Sequence, residues 1–336
     1  MTSETPTEFW NDSCSAQTIR RAIAQGAVGA TTNPFIISEV LRDEIDHWTP
    51  QMLTLITHYP FEGEDQIAQR ITRLVASERA QLSAPGSLAI QTDPRRAFDA
   101  EAMVQEGINI SAIAPNIYVK IPATDAGIQA VETLSSRGIN TLTTVCFSVA
   151  QAVAAAEAAQ RGMEAGGTRD QIQPLCAVMI GRLDDWMRSS TPQLSAEASN
   201  WAGLAVIKRA YAIIGSRGYK MKLMSAAYRS ILHWSELVGG SLIQTIPPSW
   251  QDTINASGLN LEHRMDASIP EVYLAELHRV NPDFLRAYDP EGLAREDFVQ
   301  FPPTRRTLRQ FLGGLETLHR TVRDRVVPEP QEVYLG

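Results

Sequence analysis

The feature that most constrains the fold is a repeated alternation of short apolar, β-branched runs with segments of helical periodicity. About eight such runs occur between residues 9 and 246, and most are followed by an amphipathic or alanine-rich helical pattern. This order predicts a parallel sheet with helices outside and right-handed connections. Eight units fit a closed barrel of roughly 250 residues better than an open doubly wound sheet. The predicted strands are Phe9–Asp12, Ala27–Thr32, Ser87–Gln91, Ile117–Thr124 with pairing ended by Pro122, Ile139–Val145, Pro174–Ile180, Lys222–Ala227 and Leu242–Ile246.

We therefore predict an α/β fold, a (β/α)8 TIM barrel with a C-terminal helical extension, as a single domain over residues 1–336. The absence of a glycine-rich dinucleotide motif after the first strand argues against a Rossmann fold. The barrel core is expected over about residues 9–254 and the extension over residues 255–336. The extension should begin with an irregular, proline-rich segment and end in an amphipathic helix over about Thr304–Arg325. Packing on its own barrel is the simplest expectation; cover of the barrel mouth and an oligomer contact are alternatives.

The composition argues against several classes of partner. The formal net charge is −8, from 38 acidic and 30 basic residues, so neither nucleic acid nor an anionic membrane is expected as the main partner. The polar N-terminus shows no secretory signal, and no apolar stretch is long enough to span a membrane. Three separated cysteines and six histidines form no metal-site pattern. We expect a cytoplasmic protein, with homo-oligomerisation left open.

Lys120 stands inside an apolar run, with Val119 and Ile121 on either side of it. A lysine in such a strand either extends into water or is held inside the structure. If Lys120 points into a dry barrel interior, desolvation disfavours the ammonium and lowers its pKa. The neutral amine can then attack a carbonyl carbon and form a Schiff base. The segment alone leaves both interpretations open.

Polar side chains stand at the C-terminal ends of the predicted strands, where the active sites of such barrels lie. A lysine would hold a carbonyl carbon as an iminium, and a nearby carboxylate could move protons. An amide could fix a substrate hydroxyl, and two arginines could bind a terminal phosphate. The residues at these ends are Asp12, Thr32, Asn33, Gln91 with Asp93, Lys120 with Thr124, Thr143, Thr144, Arg182 and Arg229.

Each of these residues also has a purely structural interpretation. Asp12 could cap the helix that follows it, and Asn33 with its following proline forms a turn in any case. Thr144 could simply fill a strand. Arg182 could pair with one of the two aspartates that follow it on a solvated face. Their convergence on one site is therefore the decisive expectation.

Several motifs resemble the transaldolase family, the class I aldolase-type barrels that include the fructose-6-phosphate aldolases. Residues 29–34 (GATTNP) are similar to the family's second-strand signature, and residues 119–124 (VKIPAT) are similar to its active-site lysine signature. Residues 138–144 and the helix after them resemble its fifth strand and following helix. Residues 181–182 and 226–229 match the sixth- and seventh-strand anchors more loosely. The resemblance covers roughly residues 9–254 in order.

The resemblance implies a two-step transfer in carbohydrate metabolism, such as the pentose phosphate pathway. A ketose phosphate would be cleaved on the lysine, and the resulting dihydroxyacetone enamine would add to an aldehyde acceptor. The partners would thus be small sugar phosphates or aldehydes. No metal or organic cofactor is expected, because the lysine supplies the electron sink. The implied catalytic residues are Lys120 as nucleophile, Asp12 as proton carrier, Thr144 and Gln91, and the implied substrate-binding residues are Asn33, Thr32, Arg182 and Arg229.

The chain also departs from the family pattern. Transaldolases carry an acid/base glutamate where Gln91 stands, and an amide cannot shuttle protons at neutral pH. The fructose-6-phosphate aldolases combine a glutamine there with a sixth-strand tyrosine, at which position this chain has Met179. The family's fifth-strand asparagine is Leu142, and two of its serines are Ala177 and Ala227. Candidates for part of the missing role are an ordered water, Tyr228, Cys146 and Cys176.

These departures leave three hypotheses. The chain is a transaldolase, a related aldolase of a specialised pathway with an altered acceptor, or a non-catalytic barrel that binds sugar phosphates. Retention of Arg182 and Arg229 favours phosphorylated substrates. Loss of both acid/base arrangements favours the binder, whereas joint retention of Asp12, Lys120 and Thr144 opposes it.

Overall fold

Eight parallel strands close into a barrel in chain order, and the first strand pairs with both the second and the eighth. The structure, a computed structural model, describes residues 1–327. The predicted (β/α)8 barrel is confirmed. The strands are β1 Glu8–Asn11, β2 Gly29–Thr31, β3 Ser87–Gln91, β4 Ile117–Pro122, β5 Thr141–Cys146, β6 Leu175–Val178, β7 Lys222–Ser225 and β8 Ile243–Ile246.

At least one helix follows every strand, and three follow each of β2 and β6. Over residues 1–327, no helix combines the length and apolar character needed to cross a bilayer. Two short 3-10 helices occupy Pro94–Arg96 and Arg295–Asp297. The α-helices are α1 Ala16–Ala24, α2 Pro34–Asp43, α3 Ile45–His58, α4 Glu64–Ser83, α5 Ala100–Ser111, α6 Asp125–Ser136, α7 Val149–Gly166, α8 Ile180–Ser190, α9 Ala196–Ser199, α10 Ala202–Ser216, α11 Leu232–Ser235, α12 Pro248–Ala256, α13 Glu271–Val280, α14 Pro282–Tyr288 and α15 Pro302–Val326.

Side-chain caps fix many of the turns that lead from strand to helix. Ser15, Asn33, Asp99, Thr124 and Ser148 each accept a hydrogen bond from the backbone N–H three residues further on. Such a cap satisfies a helix N–H that would otherwise lack a partner and stabilises the helix by about 1 kcal/mol. The backbone at the C-terminal end of the barrel is therefore held by local sequence.

Alternation along the strands separates a small barrel interior from a larger outer core. Trp10, Leu142, Ala177 and Met224 meet inside the barrel, whereas their neighbours in sequence pack outward against the helices. The Trp10 ring lies against Gly29, where an added Cβ would come within 2.4 Å of ring atoms. Glycine is therefore required at that position of β2.

The end of β6 differs from the prediction. The strand ends at Val178, two residues before the predicted end, because Ile180 already begins α8. Gly181 in the first turn of α8 allows a close approach of the loop after β7, since a Cβ there would lie 1.9 Å from the Ala227 carbonyl oxygen. This contact brings Arg182 beside that loop.

The segment after β8 is more helical than the sequence suggests. The prolines predict an irregular course, yet α12, α13 and α14 occupy much of it. Pro248 and Pro282 are the first residues of their helices, and Pro270 immediately precedes α13. A proline costs a helix little at its first position because the N–H there needs no helical partner.

The closing helix α15 lies across the C-terminal end of the barrel. Near its start, Thr304 is 3.4 Å from Nε2 of Gln151 in α7. Further along, Gln310 accepts a hydrogen bond from Arg182, and the carbonyl of Gly314 accepts one from Ser38 in α2 at 3.3 Å. The extension therefore packs on its own barrel and covers part of its mouth.

Candidate active site

Lys120 in β4 points into the barrel interior. It is 6% exposed, and its Nζ donates a hydrogen bond to the Thr32 carbonyl oxygen at 3.0 Å. Burial lowers the pKa of Lys120 to about 8, with a small opposing effect of Asp12 and a small further lowering by Arg182. A useful fraction of this amine is therefore neutral, and nucleophilic, near physiological pH.

Asp12 immediately follows β1 and faces the same interior. Its Oδ1 accepts a hydrogen bond from the Thr31 hydroxyl at 2.7 Å, and Thr31 also lies 3.2 Å from the Thr245 hydroxyl. The helix cap anticipated as the alternative role of Asp12 belongs to Ser15 instead. The Asp12 carboxylate is thus oriented by a side chain that the sequence analysis did not select, Thr31.

Gln91 and Thr144 supply polar atoms on the strands next to β4. Gln91 is paired in register with Lys120 on one side, and Thr144 is paired with Pro122 on the other. Oε1 of Gln91 and the hydroxyl of Thr144 are buried, and neither has a hydrogen-bond partner among residues 1–327. Both atoms are therefore free to bind a substrate or a water molecule.

Thr32 and Asn33 have structural roles that limit their part in the site. The Thr32 hydroxyl donates to the Ala89 carbonyl at 2.9 Å, and its proton is therefore not available to a substrate. Thr32 contributes its carbonyl to Lys120 instead. Oδ1 of Asn33 caps α2 through the Ile36 N–H at 3.1 Å, while its Nδ2 has no hydrogen bond within the described range.

Arg182 and Arg229 bring two positive charges together on the far side of the mouth. Arg182 is half-buried, its guanidinium lies 5.4 Å from the Phe311 ring centroid, and burial and the charge of Arg229 lower its pKa. Arg229 is exposed, and its Nε donates to Asp185 at 2.9 Å. Asp185 therefore pairs with Arg229 and not with Arg182, the pairing given above as the structural alternative for Arg182. Two neighbouring guanidinium groups are suited to a phosphate.

Comparison with known proteins places this geometry in a family. The family model described as transaldolase/fructose-6-phosphate aldolase matches residues 9–290. The chain belongs to this family. It is accordingly an enzyme of the transaldolase type, a transferase or a related aldolase.

Similar proteins carry the corresponding name at modest identity. A transaldolase of Prochlorococcus marinus strain MIT 9313 is 27% identical over 315 residues, which cover 88% of this chain and 74% of that protein. A transaldolase of Prochlorococcus marinus strain NATL2A is 30% identical over 201 residues, 58% of this chain and 56% of that protein. A probable transaldolase of Agathobacter rectalis is 31% identical over 242 residues, 71% of this chain and 86% of that protein.

Two of the residues that depart from the expected family pattern lie on one side of the interior. Leu142 is paired in register with Lys120, and Ala177 lies in the same apolar interior cluster. Gln91, on the other side of Lys120, is a polar departure. The interior is therefore polar near β1 to β4 and mainly apolar along β5 and β6, where Thr144 is the polar exception.

The side chains considered as replacements for the missing polar groups do not reach this interior. The Cys146 thiol donates to the Ser148 carbonyl at 3.7 Å, and both Cys146 and Cys176 lie in the outer core, where the neighbouring Cys146 and burial raise the pKa of Cys176 well above its usual value. The Tyr228 hydroxyl lies 3.0 Å from Ser225 and donates to Gln244 at 3.0 Å, and burial raises its pKa strongly. All three therefore support the outer wall of the barrel.

A buried Asp–His pair supports the Arg229 loop. Nδ1 of His233 accepts the Arg229 backbone N–H at 3.1 Å, and Nε2 donates to Asp184 at 2.7 Å. Asp184 also accepts the Gly203 N–H at 2.8 Å. The two bonds assign a neutral imidazole protonated at Nε2. His233 falls in a helical segment, and the spacing of the six histidines, which shows no metal-site pattern, gives no indication of this role.

Two non-glycine residues at the mouth have left-handed backbone conformations, Val145 with φ 54° and Ala227 with φ 65°. Such conformations cost about 1–3 kcal/mol each and persist only where neighbours hold them. Nε2 of Gln151 donates to the carbonyls of Val145 at 3.3 Å and Ala123 at 2.9 Å. Gln151 therefore stabilises the irregular backbone of β5 next to Thr144.

No group of three or more side chains that could bind a metal ion occurs over residues 1–327.

Proposed function

We propose that this family member is a lysine Schiff-base enzyme that transfers a dihydroxyacetone unit from a ketose phosphate to an aldehyde. The observation that carries the proposal is the buried, inward-facing Lys120, whose pKa is lowered to about 8. The other three lysines differ from it: Lys208 and Lys222 pair with glutamates, and Lys220 donates to a backbone carbonyl.

In this mechanism the Lys120 amine attacks C2 of the ketose, and the carbonyl oxygen leaves as water after proton transfers through Asp12. The iminium then accepts the electron pair of the C3–C4 bond as the C4 hydroxyl loses its proton, which releases an aldehyde and leaves an enamine. The enamine adds to the second aldehyde, and hydrolysis returns the amine. Gln91 Oε1 and Thr144 would hold the water or a substrate hydroxyl, and Asn33 would use its free Nδ2.

The phosphate of the substrates would bind to Arg182 and Arg229, because Arg182 lies beside α15 and the charge of Arg229 is close enough to lower its pKa. Asp185 would then share Arg229 with the ligand. From family membership alone, we also propose that the enzyme acts in cytoplasmic sugar-phosphate metabolism, which includes the pentose phosphate pathway. The organisation of residues 1–336 as one domain also stays a proposal, supported by the packing of α15; residues 328–336 lie outside the described residues.

The apolar wall of Leu142 and Ala177 favours a second candidate, a related aldolase with an altered acceptor. Each family hydrogen bond to a charged group that is lost there removes about 1.5–3 kcal/mol of binding. A less polar acceptor would lose nothing by this change. Removal of phosphate from the acceptor separates the two: a large loss of rate indicates a phosphorylated acceptor.

The test is borohydride trapping with fructose 6-phosphate, followed by intact mass and peptide mapping. The expected result is one reduced adduct on Lys120, absent in Lys120→Ala and retained in the control Lys222→Met. An adduct only with other carbonyl compounds would support the altered aldolase. No adduct with any carbonyl compound tested, in a folded protein, would overturn the enzymatic mechanism and leave a sugar-phosphate-binding barrel.

A further inference from the structure

A cavity of about 680 Å³ interrupts the ring of helices between α4 and α5. The main partners of α4 are α1, α3, β3 and α15, whereas α5 packs on β4 and α6. The inner wall includes Thr32, Asn33 and Gln91, so the cavity reaches the rim of the Lys120 site. Its volume falls in the range of small-molecule sites, roughly 300–1,000 Å³.

Two arginines without ion pairs line this cavity from different elements, Arg73 on α4 and Arg96 in the 3-10 turn after β3. Neither guanidinium has a hydrogen bond or ion pair within the part of the chain that the structure describes. Their neighbour Arg95 differs, because Asp65 and Asp93 both pair with it. In a chain of net charge −8, two free guanidinium groups in one cavity form a local site for an anion.

Glu106 on α5 shows that the two arginines face a common space. Both of its carboxylate oxygens lie 3.0 Å from the Asp93 N–H. Burial raises the pKa of Glu106 to about 7, although the hydrogen bond from the Asp93 N–H and the charges of Arg73 and Arg96 oppose this rise, while the Asp93 carboxylate adds to it. Both guanidinium groups therefore act on the same carboxyl. Near neutral pH that carboxyl is partly protonated and offsets only part of their charge.

The cavity lining also includes charged side chains that already have partners: Asp65 and Asp93 pair with Arg95, and His319 lies 3.2 Å from Asp65. Its remaining polar side chains are neutral hydrogen-bonding groups. Gln69 and Thr72 lie on α4, and Gln105 and Asn109 lie on α5 one turn apart. Amide and hydroxyl groups of this kind both donate and accept, as the hydroxyls of a polyol do. The cavity thus combines a positive end with walls suited to hydroxyl groups.

We propose that this cavity is a binding site for a polyol phosphate. Arg73 and Arg96 hold the phosphate, and the side chains of Gln69, Gln105 and Asn109 bind the hydroxyl groups. Such a ligand has two sources: the far end of a substrate that reacts on Lys120 and carries a second phosphate besides the one at Arg182 and Arg229, or a separate sugar-phosphate molecule. The first source rests on the proposed function, and the second does not.

The test is calorimetric titration of the full chain with glucitol 6-phosphate, which has no carbonyl group and cannot form a Schiff base. The double variant Arg73→Met/Arg96→Met is expected to bind it at least about tenfold more weakly, because both charge-assisted contacts are lost. Gln105→Trp, which fills the cavity without a change of charge, should also weaken binding. The matched control Arg137→Met removes an exposed arginine outside the cavity and should bind as the unchanged chain does.

Three results would overturn the proposal. Loss of binding only in Arg182→Met/Arg229→Met would assign the probe to the barrel mouth alone. The absence of any glucitol 6-phosphate binding by the unchanged chain is the second. Inorganic phosphate that binds as tightly as the probe is the third, because it would remove the polyol from the assignment.

A second titration identifies the source of the ligand, with the chain first trapped by borohydride on Lys120. Retained binding of one glucitol 6-phosphate per chain would support a separate molecule. Loss of binding on trapping would support occupation by the substrate's own distal end. If trapping fails, the proposed function fails, yet the variant titration still decides the cavity site.

Discussion

The two sides of the barrel mouth differ in chemistry although they share one backbone pattern. Around β1 to β4, Asp12, Thr31, Gln91 and Lys120 place titratable or hydrogen-bonding groups inside the barrel. Along β5 and β6, the interior positions that face them include Leu142 and Ala177, which have no polar side-chain atom. In the proposed mechanism the first side supplies the groups that move protons and form bonds, and the second supplies mainly shape, with the Thr144 hydroxyl near the end of β5 as its polar exception.

This difference indicates which changes should matter. A charged group in a dry interior acts strongly because little water screens it. An apolar wall acts mainly through excluded volume, which tolerates small changes. We therefore expect substitutions on the β1–β4 side to change the rate by orders of magnitude and those on the β5–β6 side to change stability more than rate.

The largest effect is expected for Asp12→Asn. The amide keeps the size of the side chain and can still bond to Thr31, but it cannot carry a proton, so kcat should fall by about 10²–10⁴-fold. The matched control is Asp252→Asn on the exposed surface, which should keep full activity. Single-turnover kinetics of donor cleavage measure the effect, and a loss of less than about threefold would remove Asp12 from the chemistry.

Lys120→Met should stabilise the protein while it abolishes adduct formation. The folded chain holds Lys120 at a pKa of about 8, below the 10.5 of an unperturbed lysine, so burial costs about 3 kcal/mol below pH 8. That cost falls as the pH rises from 8 to 10.5, because the folded chain has then released a proton that the unfolded chain still binds, and it is gone above about 10.5, where both are neutral. Urea unfolding of both proteins from pH 7 to 10.5 measures it. A stability difference that does not change with pH would contradict the lowered pKa.

The same pKa predicts the pH dependence of the first chemical step. Imine formation needs the neutral amine, so its rate should rise with pH and level off above about 8. Stopped-flow measurement of adduct formation at fixed ketose concentration tests this prediction. A rise that continues beyond pH 10 would indicate a solvent-exposed lysine.

Arg229→Met should raise KM for phosphorylated substrates by about tenfold to a hundredfold and leave dephosphorylated substrates unchanged. Arg188→Met is the control, because Arg188 is an exposed residue of α8 that also pairs with Asp185, at 3.5 Å, but is not a proposed phosphate ligand. Equal effects of the two substitutions would place the phosphate elsewhere.

The smallest effect is expected for Ala177→Ser, which restores a hydroxyl to the apolar side. The hydroxyl should cost about 1 kcal/mol of stability if it finds no partner, with kcat changed less than about threefold. Ala155→Ser on the buried face of α7 controls for the stability cost of a buried hydroxyl. A large gain in kcat would show that the apolar side limits the reaction, and would reverse the comparison.

Sequence reasoning reached the barrel because it depends on short-range alternation, whereas the residues around Lys120 left its direction open and only the family resemblance favoured the inward position. Sequence alone could not tell which of Thr31 and Thr32 places its hydroxyl in the site, because both are threonines. The strand register decides it: the Thr31 hydroxyl donates to Asp12, whereas the hydroxyl of Thr32, just after β2, donates to the Ala89 carbonyl. The helices α13 and α14 were missed because prolines were interpreted as breaks, whereas they stand at helix starts. His233 and Glu106 gave no signal, because their roles arise from contacts between separate elements.

The path of α15 has a consequence for the newborn chain. All eight strands have been synthesised once residue 246 has been added, yet Arg182 contacts Thr307, Gln310 and Phe311, which come more than a hundred residues later in the sequence. At roughly 5–20 residues per second, a barrel on the ribosome waits several seconds for that helix. A nascent barrel therefore has Lys120 in place before α15 reaches Arg182, and the proposed phosphate site is completed only after residue 311 has been added.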